Sequence, residues 1–266
     1  QILDIDPFAQ YWLRSAMLGR TFSLLGQPNT LGAFILLTLP FAWVSWQSIK
    51  WPRNAIYLTL LLGNLLVLFS TASRAALLGL IVMGMVELYE QRTTVKKIVR
   101  KKQYSLLAPL LGILALALLT AFIAFSHRFS HATERGRSWT SRQVMWTDTM
   151  RMIADRPQGY GLEAMGTLYT GFLSPKLYET ESLIFSVDRA HSKPLDLLVA
   201  LGPLGLLTYY SFIGLLLWHA WPLRHKEPWL RAGVLGVVGY SVTLLFSFET
   251  IVTSVFFWLI TGIMMS

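Results

Sequence analysis

Seven stretches of this chain contain no Asp, Glu, Lys or Arg and are almost wholly apolar. They are Thr21 to Ile49, Asn54 to Ser73, Ala75 to Val86, Gln103 to Ser126, Leu197 to Trp218, Ala232 to Phe248 and Thr250 to Ser266. A helix needs about 20 such residues to cross a bilayer. Four of the runs are long enough as they stand, and the last two reach with their flanks. Ala75 to Val86 is the short one, even when extended past Glu87 to Tyr89. A tight hairpin with the preceding run, turning at Thr71–Arg74, accommodates it. Only 14% of the residues are charged and 54% are hydrophobic, whereas a soluble domain carries about 25% charge. A soluble fold of this length could not hide that much apolar surface. No alternating strand pattern of barrel type appears. The expected fold is therefore all-α: a polytopic transmembrane helical bundle of about seven spans with one large extracytoplasmic helical loop. Its parts are residues 1–126 with four spans, 127–193 as the loop with an amphipathic helix, and 194–266 with three spans.

Local features refine this plan. Pro40 inside the first run predicts a kink, tolerable where neighbours satisfy the freed carbonyl. Gly233, Gly236 and Gly239 recur at helical spacing, which suits close helix packing in lipid. The chain has no cysteine, so disulfides, thiolate metal sites and cysteine nucleophiles are excluded. It opens with Gln1 and lacks a signal-peptide pattern, and it reads as part of a longer protein with further spans upstream.

Basic residues in short loops set the orientation. The densest cluster is Arg92, Lys96, Lys97, Arg100, Lys101 and Lys102, which belongs in the cytoplasm. Alternation then puts Lys50 and Arg53 inside, and likewise Arg224, Lys226 and Arg231. The other face receives the N-terminal segment, the turn at Arg74, residues 127–193 and the turn at Glu249, an acid that either orients an arginine or caps a helix, the cap being the preferred reading. The net charge of +9 follows from this topology. No aromatic platform or zinc module accompanies it, so nucleic acid is not an expected partner; membrane lipids are.

Residues 127–193 form the only long polar stretch, and structureless loops of that length are uncommon without function. Nine basic residues stand in it: Arg128, Arg135, Arg137, Arg142, Arg151, Arg156, Lys176, Arg189 and Lys193. An anionic substrate or lipid headgroups would account for that charge on the outer face. Thr140 with Gln143 predicts a capping box opening a helix. Trp146, Met150 and Ile153 then recur at helical spacing, as packing residues of an amphipathic helix that ends before Pro157. Gly159-Tyr160-Gly161 marks a tight turn. His191 and Arg189 sit at the outer mouth of the next span, and Arg74 faces the same side. Histidine exchanges protons near neutral pH, and arginine binds phosphate oxygens in bidentate fashion. Read singly, a mouth histidine is more often an ordinary surface residue, and an arginine at a span end more often a snorkelling anchor.

The strings together resemble a family. Thr71-Ala72-Ser73-Arg74-Ala75-Ala76-Leu77-Leu78-Gly79 is similar to a motif of the O-antigen ligase and polymerase superfamily, with Arg74 and Leu78 at the matching positions. His191-Ser192, followed by nine residues and Gly202 and then by Gly205, resembles the motif that ends its large periplasmic loop. Arg142 to Trp146, Asp155-Arg156-Pro157 through Gly159-Tyr160-Gly161, and Gly26-Gln27-Pro28-Asn29-Thr30-Leu31-Gly32 resemble it too. The resemblance implies a multi-pass glycosyltransferase of the bacterial inner membrane. Its donor is a glycan on undecaprenyl diphosphate, and its acceptor is a hydroxyl on lipid A-core, another glycan or a protein. It gives His191 the role of deprotonating the acceptor, and Arg74 and Arg142 the leaving diphosphate. Arg189 is added as substrate-binding from its position, not from a motif.

Attack at an anomeric carbon needs a base for the hydroxyl and positive charge for the departing diphosphate. Guanidinium groups supply that charge, so neither metal nor cofactor is expected. Asp4 and Asp6 lie in the N-terminal segment on the outer face, and His127 with His131 lacks a third ligand. The alternatives are a repeat-unit polymerase of the same superfamily, a solute transporter and a non-catalytic envelope scaffold. A transporter predicts internal repeats or paired broken helices, which the sequence does not display.

Overall fold

The computed structural model describes residues 21–50, 52–92, 132–180 and 187–266. Its helices are α1 (Pro28–Ser48), α2 (Asn54–Ser70), α3 (Arg74–Glu90), α4 (Ala132–Asp155), α5 (Met165–Leu168), α6 (Pro175–Thr180), α7 (Lys193–Leu223), α8 (Pro228–Leu244) and α9 (Ile251–Met265). Short 3-10 turns occupy Ser23–Leu25 and Tyr169–Phe172. Among the described residues there is no strand. Two helices, α1 and α7, are long and apolar enough to cross a membrane, and α2 and α9 are shorter apolar helices. The expected span at Gln103–Ser126, the basic residues Lys96 to Lys102, Arg128, the pair His127 and His131, and Asp4 with Asp6 lie outside the described residues.

The chain divides into two compact units. Of the described residues, the first contains α1, α2, α3, residues 219–243 and residues 250–266, and the second contains α4 to α6, α7 as far as Trp218, and Leu244–Glu249.

In the first unit, Pro28 opens α1 as proline opens helices, its missing N–H being one the helix would not use. The hairpin turn lies at Thr71–Ser73. There the Thr71 hydroxyl donates to Leu68 O at 2.6 Å and accepts from Ser73 N at 3.2 Å. Ser73 then caps α3, accepting from Ala76 N at 3.4 Å. Leu31, Ile35, Leu36 and Leu39 of α1 pack with Leu61 and Leu68 of α2, Ala76 and Met83 of α3, and Leu235 of α8. The glycine stripe of α8 makes close contacts with three neighbours. An added Cβ would lie 2.7 Å from Met264 Sδ at Gly233, 2.9 Å from Leu37 O at Gly236 and 3.5 Å from Gly79 O at Gly239. Helix association in lipid depends on such close packing, because lipid tails are as apolar as leucine.

Charged side chains tie four helix ends of this unit together. Glu87 accepts from Trp43 Nε1 at 2.9 Å, and it pairs with Arg231, which also reaches Gln47 Oε1 at 3.2 Å. Glu90 accepts from Arg224 at 2.6 and 2.9 Å. These are the ends of α1, α3 and α7 and the start of α8, the ends that the basic-residue pattern assigns to one side. Arg74 stands at the opposite end of α3, about 25 Å along a helix of 17 residues.

In the second unit, α4 begins at Ala132, not at Thr140. Thr140 is an interior residue of that helix, so the expected capping box does not open it. The buried face of α4 runs through Ser141, Met145, Asp148, Thr149 and Met152, whereas Met150 is 52% exposed. The expected stripe was displaced because two of its buried members, Asp148 and Thr149, are polar and carry no hydropathy signal. Asp148 is fully buried, and it accepts from Ser174 N at 2.9 Å, Arg151 Nη1 at 3.1 Å and Tyr169 OH at 3.3 Å. Those three partners satisfy a carboxylate that burial would otherwise penalise heavily. Met145, Met152, Met165, Tyr169, Leu177, Val187, Ala190 and Val199 form the core around it.

The helix α7 is broken. Gly202 has φ +67 and ψ −167 inside it, and Pro203 opens the segment beyond. A break of this kind frees backbone acceptors, which must find partners where water is scarce. Tyr160 N donates to Val199 O at 2.7 Å and Gly161 N to Ala200 O at 2.9 Å. The Gly159-Tyr160-Gly161 turn is thus docked on the backbone of α7, just before the break.

Candidate functional site

The segment 187–192 carries Arg189 and His191 into the start of α7. Its backbone is held at successive atoms. Ala190 N donates to Asp196 Oδ1 at 2.7 Å, and Ala190 O accepts from Trp146 Nε1 at 2.9 Å. Lys193 N donates to Ser247 O at 3.1 Å, which fixes the beginning of α7 against residues 244–249. Arg142 and Trp146 lie four apart on α4 and so share a face. Both address Phe246: Arg142 Nη1 donates to its carbonyl at 3.3 Å, and the Trp146 ring lies 6.4 Å from its ring.

His191 occupies this frame in the left-handed region, at φ +54. Few residues other than glycine adopt that conformation, and it persists only where the surroundings over-determine it. The imidazole lies 4.9 Å from the Phe248 ring, and its Nδ1 is 3.2 Å from Arg189 O. A carbonyl oxygen only accepts, so Nδ1 carries the hydrogen and Nε2 keeps a lone pair. Burial pushes the imidazole below its ordinary 6.5. Arg142 pushes the same way, while the Arg189 carbonyl and Asp188 pull back, and the net direction is down. The ring is therefore neutral at pH 7.

Arg189 makes a forked contact with Glu163, its Nη2 donating to both carboxylate oxygens at 2.6 and 2.8 Å. Burial alone would lower the pKa of this guanidinium; the bond and charge of Glu163 outweigh it, and the net direction is up. Glu163 itself has φ +60. It follows Gly161 by two residues, so it is carried by the turn docked on α7. Lys193 pairs with Glu249, and its Nζ lies 5.1 Å from the Tyr209 ring centroid. Glu249 is therefore not the helix cap expected of it: Thr250 caps α9 in a reciprocal arrangement with Thr253.

Of the residues singled out by sequence, the second unit contains Arg142, Arg189 and His191, with Arg142 close enough to bear on the imidazole. Arg74 belongs to the first unit. It is exposed at the first position of α3, after Ala72 at φ +50, and makes no ion pair among the described residues. Glu163, Asp196 and Phe248 were not anticipated. Glu163 is an exposed acid in a polar loop, and Asp196 looks like an ordinary first-turn acid. Phe248 is one apolar residue at the end of an apolar run. What they do depends on contacts that are distant in sequence.

No curated protein and no solved structure matches the chain. The O-antigen ligase family model matches residues 56–210, more than half of the 266 residues and a range that includes Arg74, Arg142, Arg189 and His191. The helical fold, its apolar helices and this match agree, and the chain belongs to the O-antigen ligase family, whose members are membrane glycosyltransferases.

Proposed function

We propose that this protein transfers a glycan from an undecaprenyl-diphosphate carrier to an acceptor hydroxyl at the extracytoplasmic face of the bacterial inner membrane, as a ligase embedded by about seven spans. His191 acts as general base. Its Nε2 takes the acceptor's hydroxyl proton as the oxygen attacks the anomeric carbon. The bond from that carbon to the diphosphate oxygen breaks, and the carrier diphosphate leaves with the electron pair. Arg142 stabilises the charge that develops on it, with Arg189 as a further contact through Nη1 and Nε, which its bonds to Glu163 do not use; Arg74 is proposed as substrate-binding on the resemblance alone.

The observation that carries this reading is the state of His191: neutral, with Nδ1 committed to Arg189 O and Nε2 left with its lone pair. A general base needs that form. Arg74 fits an anion contact of its own, since it is exposed at the first position of α3. A cation at the positive end of a helix dipole works against helix stability, while the same place favours a phosphate.

The test is to incubate the full-length protein in membranes with a lipid-diphosphate-linked glycan and candidate acceptors, and to follow glycan transfer. His191→Ala should reduce turnover by about 10²–10⁴-fold, the usual worth of a general base. Full activity in that variant would remove the assignment.

A further inference from the structure

Two side chains hold the peptide units on either side of Ala190, which is itself buried. Trp146 Nε1 donates to Ala190 O and so fixes the unit between Ala190 and His191. Asp196 Oδ1 accepts from Ala190 N at 2.7 Å and fixes the unit between Arg189 and Ala190. A peptide unit is planar, so an acceptor that holds its N–H also aims its carbonyl. The carbonyl of this second unit is Arg189 O, the atom 3.2 Å from His191 Nδ1. The anchor is itself fixed: Asp196 lies in the first turn of α7, where its own N–H donates to Ser192 O at 2.9 Å.

We propose that Asp196 is a positioning residue for His191: its carboxylate holds the Arg189–Ala190 peptide, and the carbonyl of that peptide keeps the imidazole in the Nδ1–H form with the lone pair on Nε2. The proposal rests on the reading of His191 as the general base. Asp196 does not meet the reacting atoms. An acid in the first turn of a helix is ordinarily accounted for by the helix dipole. That account needs no contact outside the helix, whereas Asp196 Oδ1 reaches back six residues to the loop that carries the imidazole.

The charged groups on the segments around the ring are Arg142 from α4, Asp188 and Arg189 from its own loop, Lys193 and Asp196 from α7, and Glu249. Asp196 acts on the ring through the Arg189 carbonyl, so the place of its oxygen matters and its charge does not. The hydrogen bond to that carbonyl raises the pKa of His191. Its loss lowers the pKa and makes His191 a weaker base.

The experiment compares three variants with the unaltered full-length protein in membranes. Asp196→Asn keeps an acceptor oxygen in place and removes the charge; Asp196→Ala and Asp196→Leu remove both. The measurements are kcat and donor KM across pH, the thermal midpoint, and the ¹⁵N imidazole shifts that distinguish the two neutral tautomers. The two acceptor-free variants are expected to lower kcat on the order of tenfold, part of the 10²–10⁴-fold that a base supplies. They should also mix the tautomers and move the acid limb to lower pH. Asp196→Asn should retain the Nδ1–H tautomer, the acid limb and most of kcat. Because it loses the same charge, a limb that moves in Asp196→Ala and stays in Asp196→Asn reports the hydrogen bond. A single Nδ1–H tautomer with an unmoved limb in a folded acceptor-free variant would overturn the proposal, as would mixed tautomers in Asp196→Asn or a change confined to donor KM. Failure of both acceptor-free variants to fold would make Asp196 a stabilising residue and overturn it too. The tautomer is read without turnover, so failure of this proposal is distinct from full activity of His191→Ala, which removes the base itself.

Discussion

Gly159 and Gly202 meet backbone to backbone: a Cβ on Gly159 would lie 2.6 Å from Ala200 O, and a Cβ on Gly202 would lie 2.6 Å from Pro157 O. Both are left-handed, at φ +92 and +67. Gly202→Ala therefore meets two penalties, roughly 1–3 kcal/mol for a φ, ψ of +67, −167 that is essentially confined to glycine and about 1–3 kcal/mol for displaced backbone. The thermal midpoint in detergent should fall, and the amides of Tyr160 and Gly161 should exchange faster as their acceptors shift. Unchanged protection at those two amides would show that the turn does not depend on this approach.

Transfer activity should keep its acid limb below the ordinary histidine value of 6.5. The sign follows from the cause. Burial, then Arg142, disfavour the charged ring, so the neutral base persists to lower pH, and activity is lost only as pH drops through the depressed value. The same depression makes the folded state bind protons less readily than the unfolded chain, so this contribution to stability is present above 6.5 and declines below it. Replacing Arg142 with Gln removes one downward influence, and the acid limb should move up towards 6.5. Activity measured from pH 4 to pH 9 decides it; a limb unmoved by Arg142→Gln would mean that the two residues are not coupled.

Gly79 in α3 lies against α8, where an added Cβ would be 2.5 Å from Gly239 O and from Thr243 Oγ1. One of those contacts is backbone and cannot turn aside. Gly79→Ala should cost about 1–3 kcal/mol by overpacking, seen as unfolding at lower denaturant in mixed micelles. Gly63→Ala is the control, since no atom lies within 4 Å of a Cβ there. Equal midpoints for the two variants would contradict the packing.

Much of the fold is legible in the sequence, because apolar runs and small residues act locally. The helices of the first unit, the hairpin at Thr71–Arg74, the end of α4 before Pro157 and the spacing of Gly233, Gly236 and Gly239 all follow from neighbouring residues. The break in α7 has a local mark in Gly202-Pro203, but the turn that docks beside it has none. Leu197 to Trp218 reads as one apolar run, and nothing in it says that Tyr160 and Gly161 will take up the carbonyls of residues 199 and 200. His191 was legible as a chemical type next to a glycine-spaced span. Its tautomer, set by Arg189, and the grip of Glu163 arise from tertiary contacts. The face of α4 does not follow from hydropathy, because Asp148 is buried by virtue of partners supplied 21 to 26 residues later in the chain.

Arg224 and Glu90 bring the ends of α3 and α7 together, with side chains only 10% and 4% exposed. A buried pair gains little over an apolar replacement of the same shape, because desolvation of both charges offsets their attraction. Removing Arg224 alone is different, since buried Glu90 then keeps only His225 Nε2, 3.2 Å from its Oε2, as a partner, and stranding a buried charge costs up to about 3–5 kcal/mol. Arg224→Met should therefore destabilise the first unit more than the double change Arg224→Met with Glu90→Leu. Arg224 also lies over the Trp221 ring at 3.7 Å, which adds a packing loss common to both variants and leaves their order unchanged. A double-mutant cycle on unfolding midpoints in detergent provides the measurement. A double variant less stable than Arg224→Met alone would mean that the pair is a net source of stability, and would sink the desolvation argument.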